Sequence, residues 1–237
     1  MTRRATGLSC CTGLLLALGT AASAQTSDAT GEFWPQVAAY TQLDATKRLL
    51  AYGQHDREED FPYSQWKVGA QLGFQLGRIA NAIRRDIDSD KDHHLPLAAG
   101  YEYLETDQSG KFSHEDRITL DAMPGFRPHA AWLVRDRNRV EFRWKNGEYS
   151  TRYRNRLWVD ANLRVGDVRF TAYTSAEAFH DSAHGWYEGQ YTLGLQVPYR
   201  RLLMVDTYYL RQECNTCSPN PLNVWGLTLN VFFRNGS

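Results

Sequence analysis

The chain has 237 residues, with 27 basic and 27 acidic side chains beside seven histidines, and a mean hydropathy of −0.55. A formal net charge of zero argues against a nucleic-acid partner, which a basic face would announce. After the N-terminus no run of about 18 apolar residues occurs, which excludes membrane-spanning helices; a barrel escapes that test because its apolar residues alternate with polar ones.

Residues 1–24 read as a secretory signal. Arg3 and Arg4 give the positive start, Leu14, Leu15, Leu16 and Leu18 a short apolar core, and Ala22-Ser23-Ala24 the small residues of a cleavage site. The mature chain is expected to begin at Gln25, with a leader over 25–32 and one domain over 33–237. The arginine pair also suits twin-arginine export, but a barrel should cross unfolded, which favours the general secretory route.

Past the leader, segments with a period of two follow one another. Phe33 to Leu43 and Arg48 to Asp56 form a first hairpin about Asp44-Ala45-Thr46. In Gln65 to Leu76, Trp66, Val68, Ala70, Leu72, Phe74 and Leu76 share one face, with Lys67, Gly69, Gln71, Gly73 and Gln75 on the other. Leu95 to Glu105 and Arg117 to Ala122 are shorter. Arg137 to Lys145 sets Arg137, Arg139, Glu141 and Arg143 against Val140, Phe142 and Trp144. Asn146-Gly147 signals a tight turn. In Glu148 to Arg164, Arg152, Arg154, Arg156, Trp158, Asp160 and Asn162 share a face opposite Tyr153, Asn155, Leu157, Val159, Ala161 and Leu163.

Val168 to Ala178, Gly185 to Val197, Arg201 to Gln212 and Val224 to Arg234 complete eleven segments. One apolar and one charged face, strand after strand, suits an antiparallel up-and-down transmembrane barrel with lipid outside and a polar, charged lumen. With both termini in the periplasm the strand number should be even, so twelve is expected (ten if a weak strand is dropped), with Ile79 to Ile87 as the twelfth. The short turns at Gly166 and Pro198 would face the periplasm; the loops at Ser182 and Cys214 would face outward. A soluble barrel with the faces reversed is the structural rival.

Three groups of residues invite chemistry. Arg137, Arg139, Arg143, Arg152, Arg154 and Arg156 would meet Glu141, Asp160, Glu177, Glu188 and Asp206 across the lumen. They would act either as a salt-bridge network filling a narrow barrel or as an eyelet for anionic solutes. His180-Asp181-Ser182 resembles the His-x-Ser spacing of outer-membrane phospholipase A, which would make His180 a base and Ser182 a nucleophile. That motif continues with Asn-Gly, whereas Ala183-His184-Gly185 follows here. Asp86, Asp88, Asp90 and Asp92 alternate before His93 and His94. They do not fit an EF-hand loop, since Lys91 or His93 stands where glycine belongs, so a solvated turn is the plainer reading and a loose divalent-cation site the alternative. Of four cysteines, Cys10 and Cys11 leave with the signal, and Cys214 and Cys217 are expected to form a local disulfide. No metal or cofactor is expected.

Arg137-Asn138-Arg139-Val140-Glu141-Phe142-Arg143, Arg152-Tyr153-Arg154-Asn155-Arg156-Leu157 and Glu177-Ala178-Phe179 together resemble the outer-membrane barrel family catalogued as domain of unknown function 2490 (DUF2490). The resemblance implies an integral outer-membrane barrel of a Gram-negative bacterium and no established activity. The expected reading is a monomeric structural or small porin-like barrel. Its partners would be outer-membrane lipids, lipopolysaccharide and, during biogenesis, the barrel-assembly machinery. A lipid hydrolase and a soluble periplasmic ligand-binding barrel are the alternatives.

Overall fold

The computed structural model describes residues 30–58, 63–76, 95–200, 202–215, 217 and 220–233. Among these residues twelve strands follow one another: β1 (Thr30–Gln42), β2 (Lys47–Glu58), β3 (Tyr63–Gln75), β4 (Pro96–Gln108), β5 (Lys111–Ala122), β6 (Gly125–His129), β7 (Trp132–Lys145), β8 (Glu148–Val165), β9 (Val168–Asp181), β10 (Gly185–Tyr199), β11 (Leu203–Cys214) and β12 (Leu222–Phe233). The eleven segments read from the sequence correspond to all of these except β6. The stretch from Ile79 to Ile87, like Asp86, Asp88, Asp90 and Asp92, lies outside the described residues.

Eleven strands close a ring, and β6 extends one of them. Ala122 of β5 faces Asn138 of β7, and Gly125 of β6 faces Arg135 of the same strand, in one continuous register. Pro124 breaks the run. Asp136 donates to its carbonyl at 2.9 Å, but proline has no N–H with which to return the bond.

Neighbours around the ring are antiparallel except at the seam, where β1 and β12 run parallel, with Thr30 opposite Leu222 and Thr41 opposite Phe233. An odd ring of alternating strands requires one such seam. This corrects the parity argument: β1 begins at the rim that carries the Cys214 loop, and β12 ends at the opposite rim. The Ser182 and Cys214 loops share the first rim; the Gly166 and Pro198 turns share the second. Asn146 and Gly147 take φ values of +50° and +87°, the left-handed pair that a two-residue hairpin needs.

Inward and outward faces separate cleanly. On β12, Leu222, Val224, Gly226, Thr228 and Asn230 are buried, whereas Trp225, Leu227, Leu229 and Phe233 are exposed. Among the described residues, seventeen polar or charged side chains are buried against eight hydrophobic ones, so the interior is predominantly polar. Thirty large hydrophobic side chains are exposed on the outer side and at the rims, far beyond the single apolar patch usual on a monomer.

Inward glycines make room for rings. Tyr52 faces Gly69, Tyr173 faces Gly194 and Tyr208 faces Gly226, each pair directly across neighbouring strands. A Cβ at any of these glycines would lie inside the van der Waals envelope of the ring.

Candidate functional site

The charged centre of the lumen is built from alternate residues of β7, β8 and β9. Their registers set Arg156 beside Glu177 and Arg152 beside Glu141. Glu141 is wholly buried. It accepts from Arg152 Nε at 2.7 Å and Arg154 Nη1 at 2.9 Å. Glu177 accepts from Arg137 Nη2 and Arg154 Nε, both at 2.8 Å, and also from Arg156. Two carboxylates are thus shared among four guanidiniums, which also stack on rings. Arg154 lies 4.5 Å and Arg152 5.3 Å from the Phe179 ring centre, while Arg156 and Arg137 lie 4.8 and 5.1 Å from that of Trp158. A guanidinium suits this place because its planar fork can serve two acceptors while its face rests on a ring.

The neighbouring strands supply further acids. Arg139 forms a two-pronged pair with Asp121 at 2.8 and 3.0 Å and reaches Glu102 at 3.1 Å. Arg143 Nη2 donates to Glu115 at 2.9 Å, and Arg117 bonds the same carboxylate. Tyr52 donates to Glu102 at 2.6 Å. Glu102, Glu115, Arg117 and Asp121 were absent from the sequence-derived set. The signal for three of them was present, since Glu115, Arg117, Thr119 and Asp121 share a face in steps of two, but Glu115 fell outside the expected strand.

Three predicted members stand apart from this centre. Asp160 pairs with Arg135 at 2.7 Å. Glu188 accepts from Gln190 at 2.9 Å. Asp206 accepts from Tyr173 at 3.0 Å and Gln196 at 2.9 Å. All three lie on the inward face, and the registers put Glu188 in the row of Arg154, two strands away across Phe179.

Inward side chains pack closely. Ala38, Leu104, Thr119, Glu141, Phe179 and Val224, from six different strands, are at most 2% exposed. Near the Cys214 rim, Leu210, Leu222 and Val224 form an apolar cluster against Trp34 and Tyr208.

His180 and Ser182 are not joined by any hydrogen bond among the described residues. The His180 ring packs edge-on against Trp186 at 5.2 Å, and Ser182 lies in an exposed turn. Asp181 instead caps that turn, accepting from the Ala183 and His184 amides at 2.9 and 2.7 Å. Cys214 and Cys217 are disulfide-bonded with a Cα separation of 5.3 Å. Glu188 lies close to both sulfurs, but disulfide sulfurs are poor metal ligands, since it is the thiolate that binds metal.

No curated protein matches the chain significantly. Residues 33–223 match the family model described as protein of unknown function, DUF2490, and this span takes in the whole arginine and carboxylate network. The chain therefore belongs to the DUF2490 family.

Proposed function

We propose that the protein is an integral outer-membrane barrel of a Gram-negative cell, delivered by its N-terminal signal, that serves as a closed structural barrel and not as a wide pore. The observation that carries this reading is the inside-out distribution of side chains. An interior of paired charges and an exterior of exposed Leu, Val, Trp and Tyr is stable where the outside solvent is hydrocarbon. In water the same exterior would be an aggregation surface.

The outward series on single strands also fit a membrane profile. On β12 it reads Trp225, Leu227, Leu229, Val231, Phe233; on β10 it reads Tyr191, Leu193, Leu195, Val197, Tyr199. Each places aromatic side chains at both ends of an aliphatic stretch. The distance between those ends is about 26 Å of strand, or roughly 20 Å of height at a tilt near 40°, comparable with the apolar band of an outer-membrane barrel.

The close packing of paired charges inside the barrel favours a structural role. An ion crossing the lumen would have to displace guanidiniums that already have carboxylate partners. The hydrolase alternative gains no support from the placement of His180 and Ser182. A soluble barrel for an apolar ligand needs a mainly apolar interior, whereas the buried side chains among the described residues are mainly polar.

The test is cell fractionation followed by gel migration of boiled and unboiled protein, then planar-bilayer recording. The expected result is recovery in the outer membrane, a heat-dependent shift in migration, and no stable large conductance. Recovery in the soluble periplasm would sink the membrane reading; stable open channels would sink the closed-barrel reading.

A further inference from the structure

On the Gly166 side of the arginine network lies a second lumenal feature, a cavity of about 110 Å³ whose charged lining residues are Arg48, Arg137, Arg139 and Asp121. Among the described residues, three cations and one anion meet there. Asp121 is held by both prongs of Arg139, which also reaches Glu102, a carboxylate shared with Arg117. Arg137 reaches Glu177 through Nη2, but shares that oxygen with Arg154. Its Nε is buried and makes no hydrogen bond among the described residues, the nearest Asp121 oxygen being 3.9 Å away. Arg48, at the mouth of the cavity, lies over the Tyr40 ring at 5.2 Å.

A buried N–H without an acceptor costs free energy, and so does positive charge in excess of the carboxylates that share it. Both deficits are met by one oxyanion. We infer that this cavity is a binding site for a small tetrahedral oxyanion of the phosphate class, held between Arg48 and Arg137 with Arg139 behind. The volume equals that of roughly three or four liquid waters, enough for such an ion and too small for a nucleotide or a sugar phosphate. Guanidinium forks match tetrahedral oxyanions through paired N–H donors, which a spherical halide cannot use in the same way. Arg48 is exposed at the rim, so the site opens toward that end of the barrel. The inference rests on the barrel and its register, and is independent of the membrane that holds it.

The experiment uses the full chain purified in detergent. Its unfolding midpoint is followed by the gel shift while inorganic phosphate replaces chloride at constant ionic strength. The expected outcome is a saturable rise of about 5 °C or more at a hundredfold excess over Kd. Arg48→Gln and Arg137→Gln should abolish the rise. Arg211→Gln, on the outward side of β11, should retain it. Arg137→Gln removes a buried residue and is the variant at risk of not folding; Arg48→Gln at the open mouth keeps the test decisive. Equal midpoints in phosphate and chloride would overturn the inference, as would an undiminished rise in Arg48→Gln.

Discussion

Across the lumen from the arginines of β7 and β8, strands β1, β11 and β12 present Ala38, Leu210, Leu222, Val224 and Gly226. One wall fills space with ion pairs stacked on Phe179 and Trp158; the other fills it with a small apolar cluster and a tyrosine laid over a glycine. Both walls use the same inward strand positions and the same period of two. The first depends on charge balance, because each guanidinium is buried only as long as its carboxylate is. The second depends on volume, because each ring lies where a side chain is missing. Each wall should therefore be vulnerable to substitutions that the other would tolerate.

The largest expected effect is on the charged wall. Glu141→Ala leaves Arg152 short of its carboxylate and Arg154 with only Glu177, and should cost about 3–5 kcal/mol, the usual penalty for breaking a buried ion pair from one side. Denaturant unfolding in detergent would measure it. A loss below about 1 kcal/mol would mean that water reaches Glu141 and that the wall is not closed. Next comes the outer surface. Leu195→Arg, midway between Tyr191 and Tyr199, should cost about 2–4 kcal/mol for a protein folded into a bilayer. In a water-soluble barrel the same exposed site would tolerate it within about 0.5 kcal/mol. Vesicle refolding equilibria separate the two.

On the wall built from rings, Gly226→Ala should cost about 1–3 kcal/mol, because the new methyl overlaps the Tyr208 ring and must push it off its seat. Adding Tyr208→Ala should recover part of that loss, a sign of coupling expected only between residues in contact. If the two costs simply add, the ring does not rest on the glycine. Glu141→Ala and Gly226→Ala, on opposite walls with no shared partner, should themselves be additive, so the pair also tests whether the walls are independent.

The sequence carried the alternation in full but not the height of any residue. Whether a side chain points in or out follows from its parity along a strand; which inward residues meet depends on the register between strands. That is why Arg152, Arg154 and Arg156 were legible as one face and do meet Glu141 and Glu177, while Asp160 and Asp206, of the same parity, pair elsewhere. β6 was hidden because five residues, preceded by Pro124 and interrupted by Pro128, give no run long enough to show a period. The parallel seam was hidden for a different reason. Eleven segments were visible, but the rule that both chain ends lie on one side displaced the count, and no local pattern marks which strands close a ring. The tight turn, by contrast, was fully local: Asn146-Gly147 specifies its own geometry.

The smallest effect concerns a rim, outside both walls. Asp44 begins the turn between β1 and β2. It accepts from the Thr46 amide and hydroxyl, both at 2.8 Å, and from the Lys47 amide at 2.9 Å, with the Lys47 ammonium 3.1 Å away. These donors, the Thr46 amide foremost, hold its carboxyl down to about 2. A carboxylate lowered on folding stabilises the folded chain above its unfolded value near 4, and that contribution is lost as pH falls through the folded value. The turn should therefore keep its geometry at pH 4 and loosen only near pH 2. Side-chain carboxyl NMR shifts would place the midpoint, and amide shifts of Thr46 and Lys47 should move with it. Asp44→Asn should keep the amide contacts and erase the titration. An ordinary midpoint near 4 in the parent protein would show that the turn is held by the strands it joins and not by Asp44.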